Sequence, residues 1–97
     1  MDGVKYDGEK PRYDIVPWDV FEDTVKVLTF GAKKYEINNW QRVKGARWRY
    51  LGAAFRHLKA RACGEILDPE SGLPHTAHCI CCLLFLAWFD KHKEVVD

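Results

Sequence analysis

The stretch CICCLLFLAWF, residues 79–89, decides the fold. It is apolar on every helical face, whereas a helix at the surface of a globular protein keeps a polar stripe. It has only roughly half of the length that a membrane-spanning helix needs. We therefore predict a buried helix, helix three, over residues 74–91, beginning at Pro74, where the missing N–H is tolerated.

A first helix is predicted well upstream, over residues 17–34. It begins at Pro17, and residues 1–16 before it read as an extended arm. Its apolar side chains recur at helical spacing. They are Val20, Phe21, Thr24, Val25, Leu28 and Ala32.

A second helix is predicted over residues 47–63, ending before Gly64, a residue type that commonly caps helices. Its apolar stripe consists of Leu51, Ala54, Phe55, Leu58 and Ala62. The chain, residues 1–97, is therefore predicted to be a single all-α domain, a small bundle of three main helices.

The all-round apolar character of helix three predicts self-association. Two partner helices in one chain do not cover every side of such a helix, and large exposed apolar patches usually mark interfaces. A chain of 97 residues also buries only a modest share of its surface. We expect a homo-oligomer with helix three near its centre. The alternative is that the first helix and the N-terminal arm wrap helix three within one chain.

Charge and cysteine usage narrow the classes of partner and compartment. The net charge of +1 argues against a long nucleic acid as partner. Cysteines at positions 79, 81 and 82 crowd one helix and point to different sides, so they do not form a disulfide framework. Reduced thiols, together with a polar N-terminus unlike a signal peptide, predict a cytoplasmic protein that makes no membrane contact.

Acidic side chains and two histidines meet where the second loop enters helix three. His75 and His78 are three residues apart and share a helical face. Near a helix N-terminus an imidazole tends to stay neutral, so either histidine is suited to bind a metal or act as a base. Asp68 and Glu70, with Glu65 before them, carry the hard oxygen atoms that hold Mg²⁺ beside substrate phosphates. The alternative is a capped loop whose carboxylates accept backbone N–H bonds.

A second set of side chains is basic and aromatic. Arginine grips a phosphate with two hydrogen bonds, lysine adds a point charge, and tryptophan or tyrosine stacks on a base. A solvated cationic face is the alternative, and a zinc site of His75, Cys79 and Cys82 is less favoured than cysteines buried in a helix interface. The set comprises Lys33, Lys34, Tyr35, Asn39, Trp40, Arg47, Trp48, Arg49, Arg56 and His57.

Several stretches together resemble a known family. They are KYD (5–7), KPR (10–12), GAKKY (31–35), NW (39–40), RH (56–57), GE (64–65) and DPESGLPH (68–75), followed by His78. In order and spacing the chain resembles the phage-associated N-terminal domain of dATP/dGTP diphosphohydrolases, which looks related to the all-α, MazG-like nucleoside triphosphate pyrophosphohydrolases.

The resemblance implies hydrolysis of a purine deoxynucleoside triphosphate to the monophosphate and pyrophosphate. It implies Mg²⁺ on helical carboxylates, assembly as a dimer or tetramer, and work in the cytoplasm of a phage-infected host. The MazG pattern of Glu-x-x-Glu on one helix and Glu-x-x-Asp on the next is missing. Where it is expected, the second helix has Arg56 and His57, and helix three has His75 and His78.

Residue roles follow for the enzyme hypothesis. Glu65, Asp68 and Glu70 are expected to hold metal, and His75 or His78, with Glu70, to orient or deprotonate water. Lys10, Arg12, Lys34 and Arg56 are expected to hold phosphates, and Tyr35 or Trp40 to face the base, with Asn39 and His57 completing the pocket. The alternative is a binding protein that sequesters an immune signalling nucleotide without cutting it. A third hypothesis is a structural or protein-interaction module.

Overall fold

The computed structural model describes residues 2–92, which form three α-helices. They are α1 (Trp18–Lys34), α2 (Ala46–Ala62) and α3 (His75–Lys91), with short 3₁₀ helices at Tyr13–Ile15 and Asn39–Arg42. Within residues 2–92 there is no strand, only one isolated bridge between Leu67 and Pro74. The predicted all-α class is confirmed.

The end of α2 is a Schellman motif. Gly64 lies in the left-handed region at φ 98°, which costs a residue without a Cβ little. The N–H of Gly64 donates to the carbonyl of Arg61, and the N–H of Glu65 donates to that of Ala60. These two bonds satisfy carbonyls that the helix leaves open and turn the chain sharply back toward α3.

The loop between α2 and α3 is closed by its own backbone hydrogen bonds. The N–H of Asp68 donates to the carbonyl of Leu73 over 2.8 Å, and the N–H of His75 donates to that of Ile66 over 2.9 Å. Gly72 supplies the positive φ of 73° at the turn. The loop is therefore a fixed platform beside the first turn of α3.

The core lies where α3 packs between α1 and α2. Val27 of α1 meets Ala77 and Cys81 of α3, with Leu73 and Phe85 packed against them. The largest fully buried side chains are Phe89 and Thr24.

The predicted apolar stripes are only partly buried, which corrects the sequence-based expectation. In α2 Ala54 is buried, but Phe55 is 63% exposed and Leu58 is 53% exposed. In α3 Leu83 and Leu84 are exposed. Three helices of this length offer too little surface to cover one another completely.

The N-terminal arm does not wrap α3. Residues 2–15 are all exposed, so the alternative in which the arm covers the apolar helix is wrong for this chain. The four cysteines are free thiols, with Cys81 and Cys82 buried and Cys63 exposed. None of the helices formed by residues 2–92 combines the length and apolar character that crossing a membrane requires.

Candidate functional site

A pocket of about 700 Å³ opens between the C-terminal half of α1, the second 3₁₀ helix, α2 and α3. Its volume lies in the usual range for small-ligand sites, roughly 300–1,000 Å³. Most of the side chains predicted to bind or act on a substrate line it. They are Lys34, Tyr35, Asn39, Trp40, Arg56, His57, Asp68, Glu70 and His78.

One wall of the pocket is backed by a chain of hydrogen bonds from α2 through α3 to the loop. The Nδ1 atoms of His57 and His75 lie 2.8 Å apart, and Nε2 of His75 lies 2.6 Å from Oε1 of Glu65. His75 is 4% exposed, so its two ring nitrogens depend on these partners. A carboxylate only accepts, which makes Nε2 of His75 the donor. In a neutral ring Nδ1 of His75 is then the acceptor, and His57 donates to it.

A second network fixes His78. The hydroxyl of Ser71 lies 2.7 Å from Nε2 of His78 and 2.9 Å from Oδ2 of Asp68, which also accepts the Ser71 N–H over 2.9 Å. The Ser71 hydroxyl donates once, and the carboxylate needs that proton. Nε2 of His78 is therefore the donor to Ser71, and its Nδ1 remains an acceptor.

The titration of these groups follows from their surroundings. Burial, and then its neighbours His78 and His75, lower the pKa of His57. Burial also lowers the pKa of His78, although the negative charge of Asp68 opposes that effect. For Asp68 burial acts to raise the pKa, but the two hydrogen bonds from Ser71 outweigh it and the pKa is lowered. His57 and His78 are therefore neutral imidazoles that lie beside an ionised Asp68.

Two exposed cationic side chains, Lys34 and Arg56, are part of the pocket lining. Lys34 forms an ion pair with Glu70 across the gap between α1 and the loop. That bond raises the pKa of Lys34, so the amine is charged. Arg56, one residue before His57 on α2, is exposed and lines the same pocket. The pocket thus offers two positive charges next to neutral imidazoles.

Another part of the pocket lining is aromatic. The Trp40 ring stacks on Phe85 with centroids 4.3 Å apart, and its edge contacts with Trp88 and Phe89 have centroids 5.1 and 6.0 Å away. Tyr50 packs on Phe85 from α2. Trp40 is therefore held by packing as well as being part of the pocket lining.

Some of the predicted site residues lie elsewhere. Lys10 and Arg12 do not line the pocket, and Arg12 instead pairs with Asp14 over 2.7 Å. Glu65 and His75 lie behind the pocket wall, where they contact each other.

The three carboxylates predicted to hold metal do not converge. Glu65 is engaged by His75, and Glu70 by Lys34. In the described part of the chain, the side chains whose ligand atoms all lie within 4.8 Å of one another are His57, Asp68 and His75.

Sequence reasoning missed the role of Ser71, which joins Asp68 to His78. The available signal was the spacing, because a serine three residues after an aspartate commonly closes a local turn of this kind. It also missed Phe85 as the partner of Trp40, for which the sequence gives no local signal.

Comparison with known proteins adds a family to this geometry. The chain matches the family described as dATP/dGTP diphosphohydrolase, N-terminal, over residues 1–97. The chain belongs to this family. A dATP/dGTP diphosphohydrolase of Salmonella phage PMBT28 is 32% identical over 97 residues, which are 100% of this chain and 33% of that relative. The chain thus spans about a third of the length of that relative. No solved structure matches it.

Proposed function

We propose that this domain binds a purine deoxynucleoside triphosphate in the pocket between α1, α2 and α3 and takes part in its hydrolysis to monophosphate and pyrophosphate. The observation that carries the proposal is the composition of the pocket lining, in which His57 and His78 lie about two helical turns from the aromatic Tyr50 and Phe85 along α2 and α3, with Lys34 and Arg56 adding positive charge. A nucleotide has the same division between phosphates and base. The name of the phage relative, dATP/dGTP diphosphohydrolase, agrees with that substrate class.

The phosphates are assigned to Arg56 and Lys34. A guanidinium binds phosphate oxygens with paired hydrogen bonds, and an ammonium group adds a compact charge. Lys34 has to exchange its partner Glu70 for a phosphate, which costs little because both side chains are exposed. Tyr35 and Trp40 are assigned to the base.

His78 is the base that we assign to the attacking water. Its Nδ1 is the acceptor left over once Nε2 donates to Ser71, and its lowered pKa keeps the ring neutral near pH 7. Asp68 holds Ser71, so it acts on His78 by fixing the tautomer. His75 and Glu70 act indirectly in this scheme, through His57 and Lys34.

Mg²⁺ enters our proposal as part of the substrate. The predicted set of Glu65, Asp68 and Glu70 does not fit a resident Mg²⁺ site, since the donor atoms that converge in the described residues are those of His57, Asp68 and His75 and include neither glutamate. Mg²⁺ is commonly carried on nucleotide phosphates, with few protein ligands. We therefore expect turnover of the magnesium nucleotide and loss of turnover in excess EDTA.

This chain has about a third of the length of the relative, so binding and turnover are measured separately. The purified protein is incubated with Mg²⁺ and each nucleoside triphosphate, and products are identified by mass spectrometry. We expect dAMP or dGMP with pyrophosphate. Calorimetric binding of dATP or dGTP is measured in parallel.

A matched pair of variants locates the site. Arg56→Ala should weaken nucleotide binding by about tenfold or more, the cost of one charge-assisted hydrogen bond. Arg61→Ala removes an exposed arginine from the same helix outside the pocket and should leave affinity unchanged. Equal effects of the two substitutions would remove the assignment to this pocket.

Sequestration without cleavage is the second candidate. It is favoured by the fact that Glu65 and Glu70 do not join the converging donor group of the described residues, so the carboxylates predicted to hold a catalytic metal ion do not form one site. A nucleotide recovered intact from denatured protein, with no turnover of any of the nucleoside triphosphates tested, would favour this function over hydrolysis.

We further propose that the domain self-associates through its exposed apolar side chains, as a dimer or tetramer in the host cytoplasm where nucleotides are found. Leu83 and Leu84 of α3 are 51% and 41% exposed. Light scattering coupled to gel filtration should give a multiple of 11.3 kDa. Leu84→Glu should lower the mass, and Val4→Glu, in the exposed arm, should not. A monomeric mass for the unmodified chain would contradict the proposal.

A further inference from the structure

Three donor side chains from three separate segments converge beside the pocket. His57 lies on α2, Asp68 lies in the loop, and His75 is the first residue of α3. One ligand atom from each lies within 4.8 Å of the others. Nucleotide binding as proposed above gives His75 only an indirect role through His57 and does not require the donor atoms of all three side chains to converge.

The separation of the two imidazoles suits a shared cation. Nδ1 of His57 and Nδ1 of His75 face each other at 2.8 Å. Their lone pairs repel at that distance unless a proton or a metal ion lies between the rings. Bonds of about 2.1 Å to a metal ion hold neighbouring ligand atoms about 3.0 to 3.4 Å apart. A side-chain shift of a few tenths of an ångström therefore converts this contact into a pair of metal ligands.

The surroundings of the donors are a second, independent observation. A histidine that binds metal through one nitrogen almost always donates its other ring N–H to a carboxylate or carbonyl. His75 does this with Glu65, at 2.6 Å from Nε2. Ligand carboxylates are usually hydrogen-bonded as well, and Oδ2 of Asp68 accepts both the N–H and the hydroxyl of Ser71. Supporting hydrogen bonds are therefore in place for two of the three donors, His75 and Asp68.

We propose that His57, Asp68 and His75 form a binding site for a divalent transition-metal ion of the Co²⁺ to Zn²⁺ group. Two imidazole nitrogens and one carboxylate select such ions, whereas Mg²⁺ prefers oxygen ligands throughout. The ion ties α2, the loop and α3 together. His57 and Asp68 also line the pocket, so the coordination positions left open by three protein ligands are next to the phosphate end of the proposed nucleotide site.

The cysteines of α3 are not part of this site. The converging group of ligand atoms in the described residues is His57, Asp68 and His75 and contains no cysteine sulfur. Burial also raises the pKa of Cys81 to about 12 and that of Cys82 to about 11, so forming the thiolate that a metal ion binds is costly there. The donor set is therefore one of nitrogen and oxygen, which the colour of a bound Co²⁺ ion reports directly.

The experiment uses the whole chain, stripped with EDTA and dialysed, without nucleotide. Co²⁺ is titrated while the visible ligand-field absorption is recorded, and Zn²⁺ is then added as competitor. We expect one Co²⁺ per chain, displacement by Zn²⁺ but not by excess Mg²⁺, and an increase of the thermal unfolding midpoint with bound metal. Because no nucleotide is present, failure here leaves the nucleotide proposal standing, and the reverse also holds.

Variants locate the ligands. His57→Gln and Asp68→Asn should each weaken Co²⁺ binding more than about tenfold, and Glu65→Gln should weaken it about 10- to 100-fold by loosening His75. His92→Gln removes a histidine that stacks on Trp88 far along α3, and should bind as the unmodified chain does. Circular dichroism checks that every variant keeps its helices.

Three results would overturn the proposal. The first is an unmodified chain that takes up no Co²⁺. The second is His57→Gln with undiminished affinity. The third is a spectrum with the intense near-ultraviolet bands of thiolate ligation, which would assign the ion to cysteine instead.

Discussion

The two ends of α3 hold their neighbours by opposite means. At the N-terminal end His75 and His78 bind α2 and the loop through directional hydrogen bonds. At the C-terminal end Phe85 and Phe89 hold the segment before α2 through ring packing with Trp40. Arg47 adds one hydrogen bond there, donated to the carbonyl of Phe89.

The difference separates function from stability along one helix. Ring packing removes much apolar area from water and is insensitive to pH and metal ions. The polar end contributes less net stability per contact, because each bond replaces one to water. It holds titratable donors in fixed directions instead, which is what a binding site requires.

The largest expected effect is at the aromatic end. Trp40→Ala should lower the free energy of unfolding by about 3 kcal/mol, the low end for such truncations because Trp40 is half-buried. Urea denaturation measures it. Trp48→Ala removes a tryptophan that is 79% exposed and should change stability by less than about 0.5 kcal/mol. If both variants lose the same stability, the aromatic end does not hold the fold as described.

A smaller loss is expected at the polar end. His75→Ala, measured in EDTA, should cost about 2 kcal/mol, since it leaves His57 without its partner in a partly buried position. Thr76→Ala changes the next, exposed residue of the same turn and should be nearly neutral. A His75→Ala loss as large as that of Trp40→Ala would erase the distinction between the two ends.

The cysteines between the ends test how tightly the middle of α3 is packed. At about pH 8 a disulfide reagent should label the exposed Cys63 at least about tenfold faster than Cys81 or Cys82, whose thiols stay protonated. Raising the pH toward 11 increases the thiolate fraction of Cys82 and should narrow the gap. Equal rates in native protein would mean that the middle of the helix opens readily.

The smallest effect on stability is expected at the exposed ion pair of the pocket lining. Lys34→Met breaks the ion pair with Glu70, which is exposed and screened by solvent, so the unfolding midpoint should not change measurably. Lys33→Met, just outside the pocket lining, is the control. Nucleotide affinity, by contrast, should fall for Lys34→Met alone. A clear stability loss would indicate that the ion pair is structural.

Local patterns were sufficient to predict the three helices, and each observed bound lies within one residue of the predicted one. Proline and glycine at the helix ends, and the apolar run of α3, are features of the sequence itself. The position of His75 and His78 on one face of α3 also follows from helical spacing.

Predicting the contacts within the site requires the packing of the helices, which no local sequence pattern gives. His57 meets His75 because α2 and α3 pack side by side, and the sequence does not state the angle or register of that packing. The carboxylates were assigned to metal by residue type, but Glu65 and Glu70 lie close to other partners once the loop closes. Lys10 and Arg12 belong to the exposed arm, and no sequence pattern indicates that they lie outside the pocket.

The closed loop between α2 and α3 has a consequence for the order in which the protein folds. The connection between α2 and α3, residues 63–74, is closed by its own hydrogen bonds, which shortens the effective loop between the two helices, and contacts across short loops form quickly because little chain entropy is lost. We expect the α2–α3 hairpin to assemble first, with His57, Asp68 and His75 already together. Docking of α1 then adds Lys34 and Tyr35 and completes the pocket. The three donor side chains therefore come together before the pocket beside them is formed.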